Sequence, residues 1–186
     1  MEITGFYKEV LKTLIDCEVD FLLVGGLAVG FYGYARYTGD MDLWLSADHD
    51  NLNKLGEALK SLKYEDDIIH QILNERPINH PTPIRLIEEN NIFKVNLMTT
   101  IYYEPLTFDA CRSRSTQIII DNFNLPIIGL NDLIEIKSNT KRYNGNMKDL
   151  VDAQELRKIL AKSEIKPIQK KPSFFQELFA KIKKPK

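Results

Sequence analysis

The stretch FLLVGGLAVGFYGYARYTGDMDLWL, residues 21–45, decides how the rest of the chain is read. An apolar run, Phe21 to Val24, has the length and branching of a buried strand. Gly25 and Gly26 break it, and Leu27 to Tyr34 then has the small and apolar content of a short helix lying on a sheet. Asp40 to Leu45 alternates again as a strand, but it carries two acids, Asp40 and Asp42, separated by one methionine. In a strand, side chains two apart share a face, so both carboxylates enter one pocket while Met41 and Leu43 point the other way.

Two anions side by side on a partly buried surface repel each other and lose hydration, and a hard divalent cation such as Mg²⁺ or Mn²⁺ relieves both costs. The alternative is a pair of acids at an exposed strand end, capping the following helix or pairing with Arg36. The double glycine bears on the choice. It stands where a strand gives way to a helix, so backbone amides at the helix head can receive phosphate oxygens unobstructed by side chains. Leu27 stands where a dinucleotide fingerprint needs glycine, and the lysine of a Walker loop is missing. A phosphate cradle followed on the next strand by paired acids suits nucleoside triphosphate chemistry, which needs both a triphosphate grip and divalent metal.

Outward from this stretch the pattern is mixed α/β. Phe6, Val10, Leu11, Leu14 and Ile15 recur at helical spacing and predict an amphipathic helix over 3–16. Ser46 or Asp48 can cap a helix carrying Leu52, Leu55, Leu59 and Leu62. Residues 64–83, with Pro77, Pro81 and Pro83, read as irregular with a helical turn near 68–73. Strands are expected at 84–87 and 92–98, joined by an acidic turn, and a hairpin at 116–120 and 125–128 around Asp121-Asn122, with Pro126 assigning its second strand to a sheet edge. Helices follow at 131–140 and 148–160, the latter with Leu150, Ala153, Leu156 and Leu160 on one face. The expected domain covers 1–161, and 162–186 is a basic, Pro/Lys-rich tail with a short amphipathic segment. Two readings stand for the tail: a solubilising end, or a surface helix that touches a partner.

The composition agrees with one folded unit: 186 residues, 44% hydrophobic, formal net charge −1. That charge exerts no global pull on nucleic acid or membrane. Cys17 and Cys111 form no ligand motif and are expected to be reduced thiols of a cytoplasmic protein. The start of the chain lacks the apolar core of a signal peptide, and no segment approaches the roughly 20 apolar residues of a membrane span. His49, His70 and His80 lack metal-ligand spacing. Trp44 lies on the acids' side of its strand and has two uses, base stacking or core packing.

Val24-Gly25-Gly26 followed by Asp40-Met41-Asp42 resembles the nucleotidyltransferase superfamily related to the polymerase β palm, and more closely its small prokaryotic members of the toxin–antitoxin type. Ala28, Gly33, Arg36 and Thr38 match positions between the two motifs, and Lys137, Lys148, Asp149 and Asp152 match a later Lys-containing helix and Lys-Asp motif. The resemblance implies a nucleotidyltransferase-type mixed sheet with helices packed on it and further helices at the C-terminal end. It implies Asp40 and Asp42 as the ligands of two Mg²⁺ (or Mn²⁺) ions that bridge the nucleotide phosphates, and Gly25, Gly26, Arg36, Thr38 and Lys137 as the residues around a bound NTP. For Arg36 and Lys137 an ion pair is the competing assignment. The activity implied is transfer of a nucleoside monophosphate to a hydroxyl acceptor: tRNA or other RNA, a protein, or a small molecule. A partner protein of a toxin–antitoxin pair belongs to the same expectation.

The family pattern places a third carboxylate on a later strand; the matching stretch, Phe93 to Met98, offers Asn96 in the catalytic set. An amide can lend an oxygen to a metal but is neither charged nor basic. Three explanations compete: catalysis on two acids, a substitute such as Glu104, or a nucleotide-binding or interaction module that does not turn its ligand over.

Overall fold

A computed structural model describes residues 5–75, 83–88, 92–101, 103, 105–120, 122–139 and 147–163. The first helix, α1 (Gly5–Asp16), buries Tyr7, Val10, Leu11 and Leu14. Strand β1 (Phe21–Val24) follows, then α2 (Gly25–Phe31), β2 (Asp40–Leu45) and α3 (His49–Ser61). The chain continues through α4 (Asp66–His70), which runs into a π-helical turn, Gln71–Glu75, and then β3 (Ile84–Ile87) and β4 (Lys94–Met98). The remaining elements are α5 (Phe108–Ser113), β5 (Thr116–Ile120), β6 (Phe123–Ile127), α6 (Leu130–Asn139) and α7 (Met147–Ser163). Glu104, His80 and the tail beyond Ser163 lie outside the described residues.

The six strands form one mixed sheet in the order β3-β4-β2-β1-β6-β5. β2 runs antiparallel to β1 and parallel to β4, which places Asp42 beside Val24 on one side and beside Asn96 on the other. The β1 and β2 interior is apolar throughout: Leu22, Leu23, Met41, Leu43 and Leu45 are buried, and α1, α2 and α3 contribute Leu14, Ala28, Val29, Leu55 and Leu59. Trp44 is buried, edge-on to Phe108 at a ring separation of 5.5 Å, so it serves the core rather than a base-stacking surface.

Several expectations shift in detail. The helix after β1 begins at Gly25 itself, because Gly25 adopts a left-handed φ of 66° that turns the strand directly into the helix. Pro126 does not mark an edge: β6 lies between β1 and β5, and the edge strand at this end of the sheet is β5. The proline is tolerated because β1 joins β6 just beyond it, at Leu23 opposite Ile127, with Ile128 donating its amide to the Leu23 carbonyl at 3.1 Å. On α7 the buried face is Asp149, Asp152, Ala153 and Leu156, with Leu150 exposed. Two acids displaced a leucine from the inner face because two cations, the buried Lys137 and the half-buried Arg36, stand there. α5 is too short to show periodicity; Thr107 caps it by accepting the Ala110 amide at 3.3 Å.

The ends of β1 and β2 are held by one buried side chain on α3. Asn51 donates its amide nitrogen to the carbonyls of Asp20 (3.0 Å) and Ser46 (2.9 Å), and its oxygen accepts from the Asp20 amide at 2.6 Å. Asp48 caps the same helix by accepting the Asn51 amide at 2.8 Å. Cys111 is buried, and burial pushes its thiol up to about 11. Among the described residues no helix is long and apolar enough to cross a membrane. Replacing Asn51 with Ala removes three hydrogen bonds to the backbone; the Asp20 carbonyl keeps a second donor, the Ser46 amide at 3.2 Å, and urea denaturation should report a loss of about 2–3 kcal/mol.

Candidate active site

The site assembles where β1 turns into α2. A Cβ placed on Gly25 would lie 2.0 Å from the Asp42 Oδ2, and one on Gly26 would lie 2.7 Å from the Thr38 Oγ1 and 2.9 Å from an Arg36 Nη. Real Cβ atoms do not approach so closely, so the glycines are required by what packs on them. Asp42 lies over Gly25, and Thr38 and Arg36 lie over Gly26. Asp40, on the same face of β2 and half-buried like Asp42, is tied in through its carbonyl, which accepts from the Thr38 hydroxyl at 3.4 Å. Val24 precedes the turn with no side-chain cap, so the first amides of α2 are not claimed by it.

Asp42 has a partner on β4 as well. Asn96 Nδ2 donates to Asp42 Oδ1 at 2.8 Å, and Asn96 Oδ1 accepts from Arg85 Nε at 3.2 Å. These contacts follow the strand register, in which Arg85, Asn96 and Asp42 are successive cross-strand partners and therefore share a face. A carboxylate only accepts and a guanidinium only donates, so the two neighbours fix which way the amide lies.

This orientation tests the donor set against divalent metal. Asp40 and Asp42 are hard oxygen donors on one face and suit Mg²⁺ or Mn²⁺. Asn96 turns its nitrogen, not its oxygen, toward Asp42, so it adds no third donor there. Among the described residues no group of three or more His, Cys, Asp or Glu side chains comes together to hold a metal. The acids fit an ion as a pair.

The two cations of the sequence reading are anchored from behind. Arg36 makes a two-pronged pair with Asp152, Nε to Oδ1 at 2.7 Å and Nη2 to Oδ2 at 2.8 Å. Lys137 is buried on α6 and meets Asp149 at 2.5 Å and Asp152 at 3.1 Å. Arg36 therefore stands at the turn, whereas Lys137 is one carboxylate removed from it. Lys148, exposed at the start of α7, has its pKa lowered by partial desolvation and by the charges of Arg36 and Lys137.

Tyr7 and Arg85 escaped the sequence reading. Tyr7 donates its hydroxyl to the Gly39 carbonyl at 3.0 Å, fixing the approach to Asp40. Burial, with smaller contributions from Asp40 and Asp42, pushes its phenol far above the ordinary range, so it stays protonated and donating. Its position on the inner face of α1 was readable from helical spacing; its partner was not. For Arg85 the signal was strand alternation, which sets it on the face opposite Ile84 and Leu86.

Two outcomes follow. Asp152→Ala strands Arg36 and Lys137 without their shared carboxylate, and thermal or urea unfolding should show a loss of about 3–5 kcal/mol. Gly25→Ala forces a Cβ into both a left-handed backbone and the Asp42 carboxylate; a loss of at least about 1–3 kcal/mol is expected, together with weakened Mn²⁺ binding by titration.

No protein-family model and no curated protein matches the chain. Solved structures do. A lincosamide antibiotic adenylyltransferase, LnuA, with lincomycin bound, is similar with a TM-score of 0.50 at 16% identity, over 86% of this chain and 99% of that one. An antigenic nucleotidyltransferase-like protein from Paracoccidioides brasiliensis gives a TM-score of 0.46 at 14% identity, over 96% of this chain and 91% of its own. At these identities the likeness speaks for architecture: the first of them and this chain share one layout along almost the whole adenylyltransferase. The mixed sheet, with the Gly-Gly turn and the acid pair side by side on adjacent strands, has the nucleotidyltransferase fold.

Proposed function

We propose that the chain is a metal-dependent nucleotidyltransferase that moves a nucleoside monophosphate from an NTP to a hydroxyl acceptor. The observation that carries this reading is the packing of the Asp42 carboxylate directly on Gly25, with Asp40 on the same face. That arrangement puts anionic metal ligands within reach of the amides at the head of α2, the two features a metal-bound triphosphate needs together.

Asp40 and Asp42 would hold Mg²⁺ or Mn²⁺, which supplies charge neutralisation at the phosphates and polarises the phosphoryl group under attack. Gly25 and Gly26 put no side chain of their own at the helix head, where the amides would take phosphate oxygens. Arg36, lying over Gly26, faces the same phosphates while Asp152 holds its guanidinium in place. Thr38 and Tyr7 position the segment that carries Asp40. The acceptor oxygen bonds to the α-phosphorus, the bond to the bridging oxygen breaks, and pyrophosphate leaves. Asn96 has no basic site, so the hydroxyl proton leaves to water or to a phosphate oxygen.

The acceptor is a small-molecule hydroxyl, an RNA end or a protein side chain. Lincosamides are the first small molecules to try, given the structural neighbour that adenylylates them. A role in a toxin–antitoxin pair rests on the resemblance of residues 21–45 alone. A second reading, a nucleotide-binding module without turnover, is favoured by the Asn96 nitrogen standing where an acid would complete the site.

Incubation with Mn²⁺ or Mg²⁺, each α-labelled NTP and a panel of lincosamides, RNA and proteins separates the two. Transfer of label is expected, with Asp42→Asn lowering it by about 100-fold or more while the circular dichroism spectrum is retained. Tight NTP binding with no acceptor labelled selects the second reading. NTP binding indifferent to both Asp40→Ala and Asp42→Ala rejects the metal site.

A further inference from the structure

The nucleotide reading leaves Arg85 unused, yet it ends a row of polar side chains that starts at the acid pair. The row crosses three strands: Asp42 on β2, Asn96 on β4, Arg85 on β3, at 2.8 and 3.2 Å. Each link is set by register, so the order follows from strand pairing and not from a chance rotamer. The row also has one polarity. Turning the Asn96 amide over would set its oxygen against the Asp42 carboxylate and its NH₂ against the Arg85 guanidinium, two like-with-like contacts in place of two hydrogen bonds. Asn96 is buried, so water cannot relieve them cheaply. The Asn96 oxygen is thus committed to Arg85.

Two divalent ions held about 3.5–4 Å apart need anionic donors around both. On the β4 side of Asp42 this chain offers an N–H and, behind it, a guanidinium. We propose that the site takes a single divalent ion, held by Asp40 and Asp42, and that Arg85 supplies through Asn96 the fixed positive charge on the side where a second ion would otherwise sit. The inference rests on the reading of Asp40 and Asp42 as metal ligands. Its charge balance is self-consistent. Two carboxylates and one guanidinium carry one net negative charge, and one divalent ion turns that into one net positive charge. Before nucleotide binds, a second ion would leave the protein groups with three net positive charges and no further carboxylate to offset them, so its donors would have to come from the triphosphate alone.

Arg85 spends Nε on Asn96. It stands on an edge strand and is exposed, so its charge is reachable by an anion entering from solvent. A nucleotide phosphate bound beside Asp42 would meet that charge, which makes Arg85 a positioning residue for the nucleotide rather than a member of the metal's own ligand set.

The test is a Mn²⁺ titration of the full chain, read by electron paramagnetic resonance and calorimetry, in the presence of a saturating non-hydrolysable NTP analogue. Wild type is expected to bind about one Mn²⁺ per chain, and Asn96→Asp, which restores an acid at the row's centre, about two. Arg85→Gln is expected to keep about one Mn²⁺ while weakening the analogue by about 10-fold. Two ions on wild type overturn the inference and leave the metal reading intact; no ion at all overturns both. An analogue affinity unchanged in Arg85→Gln overturns the part assigned to Arg85, and this exposed variant keeps the proposal testable if Asn96→Asp does not fold.

Discussion

Asp152 is the residue on which the geometry of the site depends. A carboxylate with essentially no solvent contact is costly to bury, and here it is offset by two cations from different parts of the chain: Arg36, from the loop that leads into β2, and Lys137, from α6. Asp149 takes a further share of Lys137. The result ties the loop at 34–39, α6 and α7 to one another by charge, in addition to the apolar core that Leu133 and Ile134 of α6 share with Leu156 of α7. Arg36 is held by Asp152 on one side and by the Tyr37 carbonyl, which accepts from its Nη1 at 3.1 Å, while Gly26 leaves it room. A loop that pays for order with a buried ion network delivers the Arg36 guanidinium and the Thr38 hydroxyl to the head of α2 in one position.

In front of that network the sheet performs a second alignment. Asp42 has Val24 on one flank and Asn96 on the other by strand register, and the Gly25 turn lies against its carboxylate. The acid is located from three directions, by strand register on both flanks and by the bare Gly25 turn against its carboxylate. Asp40 is located more lightly, through the Thr38 contact to its carbonyl and the Tyr7 bond to the residue before it.

The strands, the turn and the acid pair were legible in the sequence because each is a local pattern: alternation in 40–45, a double glycine after an apolar run, helical spacing in 6–15. What sequence could not provide was anything that depends on which strands become neighbours. Pro126 carries an edge signal that is sound locally, but β6 sits inside the sheet because its joint with β1 falls past the proline. Spacing alone turns Leu150 inward, whereas the partners of Asp149 and Asp152, lying more than ten residues upstream, draw those two acids to the inner face instead. Arg85 and Asn96 became a unit only through the β3 and β4 register. The identity of Asn96 was plain from the start; the direction of its amide required its neighbours.

The joint between β1 and β6 has a consequence of its own. Among the described residues, these strands share one register pair, Leu23 with Ile127, while every other adjacent pair in the sheet is matched over four or five positions. The sheet is thus two ladders spliced at a narrow seam, and the Gly-Gly turn, both aspartates, Asn96 and Arg85 all belong to the same ladder. The β5 and β6 hairpin lies across the seam, with Tyr32 reaching over to the Ile128 carbonyl at 2.7 Å as a second fastening. The hairpin thus meets the acid pair's ladder through one register pair and the Tyr32 bond, and it reaches the site a second way, because β6 continues into α6, whose Lys137 shares Asp152 with Arg36.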